Sequence, residues 1–220
     1  IKLNYNNTVD SVFTTAHEFG HAMHSFLNSQ VNPYHEYGYS IFTAEIASNV
    51  NELLLEKYYL KKYSNNKDMI LYFLGNRLDD IRASFFRQTK FAEFERRIHN
   101  IVEDGMPLSA KLLNKEYTVY LSSYFGKSMH LEEYNSLEWA YIPHFYYKYY
   151  VYCYATGLSS AIAIANKILN GEKNAVENYL NMLTRPYSSN PIEILKDAGV
   201  DLTSTKPIED VIELFSNTMN

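Results

Sequence analysis

An all-α fold is what this sequence predicts, and three observations carry the prediction. Apolar residues recur at helical spacing through nearly all of its 220 residues, chain breakers fall at helix-length intervals, and no stretch alternates with period two for long. A composition of 46% hydrophobic and 20% charged residues is globular, which excludes wholesale disorder, a collagen-like repeat and a disulfide-framed miniprotein. With neither an internal repeat nor a low-complexity linker, one multi-helix domain over residues 1–220 is the simplest organisation.

The stretch Ile1 to Tyr5 is strand-like and leaves room for a short N-terminal strand. Asn6-Asn7-Thr8 then offers side-chain oxygens to the free amides of a first helical turn. From there Val9, Val12, Phe13, Ala16, Phe19, Met23, Phe26 and Leu27 keep helical spacing until Asn32-Pro33 ends the run. After a tyrosine-containing connection with Gly38, a second helix runs from Ser40 to Tyr63 and stops at Ser64-Asn65-Asn66. The helical pattern resumes from Asp68 to Glu103, with Gly75 as the place for a kink, and Asp104-Gly105-Met106-Pro107 closes it. Ser109 caps a further helix to Phe125. Pro143 suits the first turn of a long helix that reaches Leu169, where Asn170-Gly171 reads as its cap. Three shorter helices complete the chain, Glu172 to Thr184, Pro191 to Ala198 and Pro207 to Asn217.

The formal charge of −5, without any block of like charges, removes the electrostatic footprint of nucleic-acid or anionic-lipid binding. No apolar run approaches the ~18 to 20 residues that span a bilayer, and no signal-peptide pattern opens the chain. The one cysteine, Cys153, excludes an internal disulfide and fits a reducing compartment, so the cytoplasm is the expected location. The chain opens at Ile1 inside a strand-like stretch, which reads as a piece of a longer protein.

His17-Glu18-Phe19-Gly20-His21 lies inside the first helix. Positions i and i+4 differ by about 40° in azimuth and about 6 Å along the axis, so both imidazoles can address one ion with Glu18 beside them. A catalytic zinc takes nitrogen or oxygen donors at about 2.0 to 2.2 Å and keeps one position open for water, whose proton an adjacent carboxylate can accept. The bland alternative is a solvated helix face with incidental histidines. As third ligand, His24 shares the azimuth of His17 but sits ~10 Å further along the axis, too far for one tetrahedral ion. It is expected beside the site instead, in a hydrogen bond or a substrate contact. Glu45 follows His21 by 24 residues and lies on the second helix, where Ala44 and Ala47 would let the two helices approach closely. Glu52, at i+7 from Glu45, is either the alternative ligand or an acceptor orienting one imidazole. For Glu45, Glu52 and Glu56 the competing reading is an ordinary solvated stripe.

These residues carry a resemblance. The run from Asn4 to Ser25 around His17-Glu18-Phe19-Gly20-His21 resembles the active-site helix of oligoendopeptidase F, a branch of the thimet-oligopeptidase-like zinc peptidases. Four further blocks agree in order: Tyr39 to Ser48 around Thr43-Ala44-Glu45, Arg82 to Glu95 with Phe91-Ala92-Glu93-Phe94-Glu95, Ile142-Pro143-His144-Phe145-Tyr146-Tyr147, and Tyr154-Ala155-Thr156-Gly157. The resemblance implies a zinc-dependent endopeptidase acting on short peptides. One Zn2+ per chain would be held by His17, His21 and Glu45, with metal-activated water and Glu18 as general base. A downstream histidine, matched here by His144, and tyrosines would contact the substrate and stabilise the oxyanion. Among the tyrosines, Tyr147, Tyr150 and Tyr154 are chosen because a helix would put them on one face at i, i+3 and i+7, with aromatic core packing as the competing reading. Relatives are longer, so contacts with an N-terminal part of the same enzyme are expected. The rival from another class is a non-catalytic helical metal- or peptide-binding domain derived from a peptidase. Glu18 speaks against it, because a structural site closed by a fourth ligand has no use for that carboxylate.

Overall fold

The computed structural model describes residues 1–220 in full apart from the side chain of Ser128. Nine α-helices of the described residues follow one another as α1 (Val9–Val31), α2 (Ile41–Lys62), α3 (Lys67–Asp80), α4 (Arg87–Glu103), α5 (Ala110–Phe125), α6 (Tyr152–Leu169), α7 (Ala175–Leu183), α8 (Pro191–Asp197) and α9 (Lys206–Met219). The expected all-α class holds, and among the described residues no strand forms. Ile1 to Tyr5 is irregular and exposed, since among the described residues no other strand forms to pair with its backbone. Among the described residues, no helix is long and apolar enough to cross a membrane.

The chain divides into two compact units. The first comprises Ile1–Arg82 and Thr156–Asn220, the second Ala83–Ala155.

In the first unit, α1 begins where Thr8 accepts a hydrogen bond from the Ser11 amide at 3.2 Å, and ends at Asn32. Its apolar periodicity does not mark its buried face. Phe19, Met23 and Phe26 are about half exposed, whereas Ser11, Gly20, His24 and Asn28 are buried. The reason is the close approach of α2: a β-carbon at Gly20 would lie 2.5 Å from the Ala47 carbonyl oxygen and 2.5 Å from the Ser48 Cα. Only glycine fits there. Buried Asn28 is satisfied by donating to the Arg185 carbonyl at 2.7 Å and accepting from the Gly38 amide at 2.9 Å, which ties α1 to two connections. Asn51 on α2 donates to the Ala16 carbonyl of α1 at 3.2 Å. Glu56 is no part of a solvated stripe: it is 7% exposed and pairs with the buried guanidinium of Arg77, which also reaches Asp80 at 2.9 Å.

Gly75 does not kink the third helical stretch. The change comes at Ile81–Phe86, one widened π-helical turn that separates α3 from α4.

In the second unit, Phe91 and Phe94 of α4 pack with Tyr117 and Leu121 of α5 and with Ile142 and Val151, and Phe145 lies against the same cluster. Phe94 meets Tyr117 edge-on, with ring centres 5.0 Å apart. The Tyr117 hydroxyl donates to Glu138, which also accepts from Lys90 at 2.9 Å and Arg87 at 2.7 Å. A half-buried carboxylate is tolerated there because three donors surround it.

The single long helix expected from Pro143 to Leu169 is not formed. Pro143–Tyr147 is a short 3-10 turn, Lys148 and Tyr149 take φ of 53° and 56°, and α6 starts only at Tyr152. Two consecutive left-handed residues without glycine end any helical ladder, and they are sterically costly for side chains of this size. Of the three shorter helices, α7 starts later than expected, behind left-handed Asn174 with φ of 62°, while α8 and α9 lie within a residue or two of the expected spans.

Candidate metal centre

The helical spacing of His17 and His21 brings their Nε2 atoms to 3.2 Å. Glu45 on α2 completes a triangle: its Oε2 lies 3.3 Å from His17 Nε2 and 3.5 Å from His21 Nε2. Donors about 2.05 Å from a tetrahedral ion are about 3.3 Å apart, so the three edges match one face of a zinc coordination sphere. Donor chemistry agrees, since two imidazoles and one carboxylate leave a fourth direction free. His17, His21 and Glu45 form the group of metal-ligating side chains among the described residues that could hold an ion.

Three features hold the triangle in place. Glu52 Oε1 lies 3.4 Å from His17 Nδ1, the ring nitrogen on the side away from Glu45. Glu52 thus lies outside the converging donor group of His17, His21 and Glu45. The Ser48 hydroxyl, which sequence reasoning passed over, lies 3.2 Å from Glu45 Oε2, toward which it can donate, and 2.9 Å from the Glu45 carbonyl. Gly157 of α6 lets a backbone approach Glu45, because a β-carbon there would sit 3.2 Å from the Glu45 Cβ. The small alanines beside Glu45 were a legible signal of this crowding; Gly20 and Gly157 are its actual sites.

The electrostatics call for positive charge at this point. Burial disfavours a charged His17, yet Glu45 and Glu52 outweigh it and push the imidazole up to about 10. Burial likewise raises Glu45, but the two histidines hold its carboxyl well below the usual carboxylate range. Burial pushes Glu52 up, against the pull of His17. The two carboxylates thus favour a positive charge on His17.

Glu18 follows His17 on α1, half-buried, and among the described residues its carboxylate has no hydrogen-bond or ion-pair partner. His24 is neither ligand nor substrate contact. It is 2% exposed and stacks on Tyr39 with ring centres 3.7 Å apart, and burial and the charge of His21 lower it to about 4.

The remaining sequence-selected residues form a second group, within the second unit. The Tyr154 hydroxyl lies 3.2 Å from His144 Nε2, and the rings of Tyr147, Tyr150 and Tyr154 centre 6.0, 5.7 and 5.8 Å from that imidazole. These side chains come together, but not along a helical face. The strained Lys148–Tyr149 turn folds Tyr150 and Tyr154 back toward the 3-10 turn that carries His144. Sequence reasoning missed what holds that turn: Glu95 of α4 accepts a hydrogen bond from the Tyr149 amide at 2.6 Å.

Comparison with known proteins gives the family. Oligopeptidase PepF of Bacillus subtilis (strain 168) is 44% identical over 220 residues, which is 100% of this chain and 33% of that protein. An oligoendopeptidase F homolog of Borreliella burgdorferi is 43% identical over 216 residues, or 98% of this chain and 36% of that one. The crystal structure of oligoendopeptidase-F from Enterococcus faecium superposes with a TM-score of 0.84 at 40% identity, covering 96% of this chain and 38% of that one. The chain spans about a third of the length of the curated relatives it matches. A family model described as peptidase family M3 matches residues 1–214, and the chain belongs to that peptidase family.

Proposed function

We propose that this chain is the catalytic part of a zinc-dependent endopeptidase that hydrolyses short peptides. The observation that carries the reading is the triangle of His17, His21 and Glu45 donor atoms, with edges of 3.2, 3.3 and 3.5 Å, beside an unpartnered Glu18. When bound, zinc supplies a Lewis acid that polarises a carbonyl and acidifies water. The protein's own groups do the rest. His17 and His21 offer Nε2 lone pairs, with the His17 tautomer fixed by Glu52 at Nδ1. The Glu18 carboxylate takes a proton from the attacking water and returns it to the leaving amine. His144 Nε2–H and the hydroxyls of Tyr147, Tyr150 and Tyr154 are assigned to substrate contact and to donation toward the developing oxyanion. The cytoplasm is the proposed compartment, and an N-terminal part of the longer enzyme is the proposed intramolecular partner.

The test is Glu18→Gln in the intact protein that carries this chain, assayed on an internally quenched peptide with blocked ends. Zinc content is expected to match the parent while turnover falls at least about a hundredfold. Parent-like turnover would remove Glu18 from the base role. A parent that binds zinc and cleaves nothing would favour the non-catalytic binding domain.

A further inference from the structure

The segment between His144 and Tyr154 is strained at Lys148 and Tyr149, with φ of 53° and 56°, and ψ of Lys148 is 97°. Strain of this kind persists only where surrounding contacts over-determine it. Here α4 supplies most of them, and the core it shares with α5 supplies the rest. Ahead of the turn, Phe145 packs on Phe91 and Phe94 of α4, with ring centres 5.7 and 5.6 Å away; behind it, Val151 is fully buried in the same cluster. Between these anchors, Glu95 accepts from the Tyr149 amide at 2.6 Å, and His99, one turn further along α4, stacks on the Tyr149 ring at 4.5 Å. Glu95 itself is 1% exposed, so its carboxylate is spent on one backbone amide inside the protein. A buried acid needs a reason to be there, because an apolar residue at that point would pack without desolvation cost.

The reason lies in what the turn does. An unbroken helix would leave Tyr147 one turn from His144 but carry Tyr150 and Tyr154 about 9 and 15 Å along its axis; with the left-handed pair in between, all three tyrosine rings lie near that imidazole. We propose that Glu95 is a positioning residue for the peptidase reaction: through the Tyr149 amide it latches the Lys148–Tyr149 turn and so sets the His144–Tyr154 geometry. The proposal rests on the functional reading above, in which these side chains meet the substrate and the oxyanion. Glu95 touches neither.

The experiment uses the intact protein with zinc, and three variants. Glu95→Ala removes the acceptor; amide exchange at Tyr149 is expected to accelerate, and kcat to fall roughly tenfold to a hundredfold at unchanged zinc content. Glu95→Gln restores an acceptor oxygen at the same place, and is expected to recover most of both losses. Lys148→Gly frees the positive φ, so Glu95→Ala in that background is expected to lose less kcat than it does alone. Such rescue distinguishes positioning from general support of the fold. The proposal is overturned if Glu95→Ala leaves Tyr149 exchange at the parent rate, if its kcat stays within about twofold of the parent, or if glycine at 148 gives no rescue. A parent that holds zinc and cleaves no peptide removes the functional reading itself, whereas an active parent with an unaffected Glu95→Ala removes only the latch.

Discussion

His24 shares the helical azimuth of His17 but lies apart from the donor triangle. It is buried against Tyr39, its pKa is lowered from 6.5 to about 4 by burial and by the charge of His21, and the folded chain keeps it neutral. The unfolded chain takes up that proton first. Stability present above pH 6.5 is therefore lost progressively as the pH falls toward about 4. His24→Phe keeps a ring on Tyr39 and removes the titration. Urea unfolding of parent and variant at pH 7 and at pH 4.5, both in chelator, is expected to show the parent losing about 2 kcal/mol more than the variant. Equal losses would mean that His24 is protonated in the fold. At this scale the metal group was legible, because His17, Glu18 and His21 are related by helix geometry alone, and Glu45 by the neighbouring small residues. The burial of His24 and the bond from Tyr149 to Glu95 were not, since both depend on what other elements bring up against them.

Helix α1 lies against α2 through its small and polar side and not through its most apolar one. The metal triangle needs that closeness, because Glu45 must reach across to two imidazoles. Gly20→Ala would force a methyl group to within 2.5 Å of the α2 backbone, where no flexible side chain can give way. It is expected to cost about 2 to 3 kcal/mol in urea unfolding and to weaken zinc binding, as the two ligand helices part. Parent-like stability and affinity would show that the ligands are positioned by something other than this contact. Most helix limits were readable, since Thr8, Asn32, Asn66, Ser109 and Gly171 act through local capping and turn chemistry. The break at Lys148–Tyr149 was unreadable for the opposite reason: neither residue favours a positive φ, and tertiary contacts, the Glu95 acceptor of α4 among them, make it tenable. The π-helical turn at Ile81–Phe86 likewise has no glycine or proline to announce it.

For the molecule as a whole, the all-helical fold and membership of peptidase family M3 stand on agreement over nearly the full chain. Its two compact units each hold one of the side-chain groups described above. The first carries the triangle of His17, His21 and Glu45, and the second carries His144 with its three tyrosines. The tyrosine surplus, 21 in all, is accounted for in part by that second group and in part by packing, as with Tyr59 stacked on Phe73 at 5.3 Å. The central claim is that turnover needs one ion held by the first unit's triangle. It is tested most directly by measuring zinc and peptide cleavage together in the intact protein, before and after chelation, and in His21→Ala. One zinc per chain in the parent, turnover that vanishes with the chelator and returns with zinc, and neither metal nor turnover in a folded His21→Ala is the predicted result. Cleavage by the metal-free parent, or zinc retained at parent affinity by His21→Ala, would contradict it.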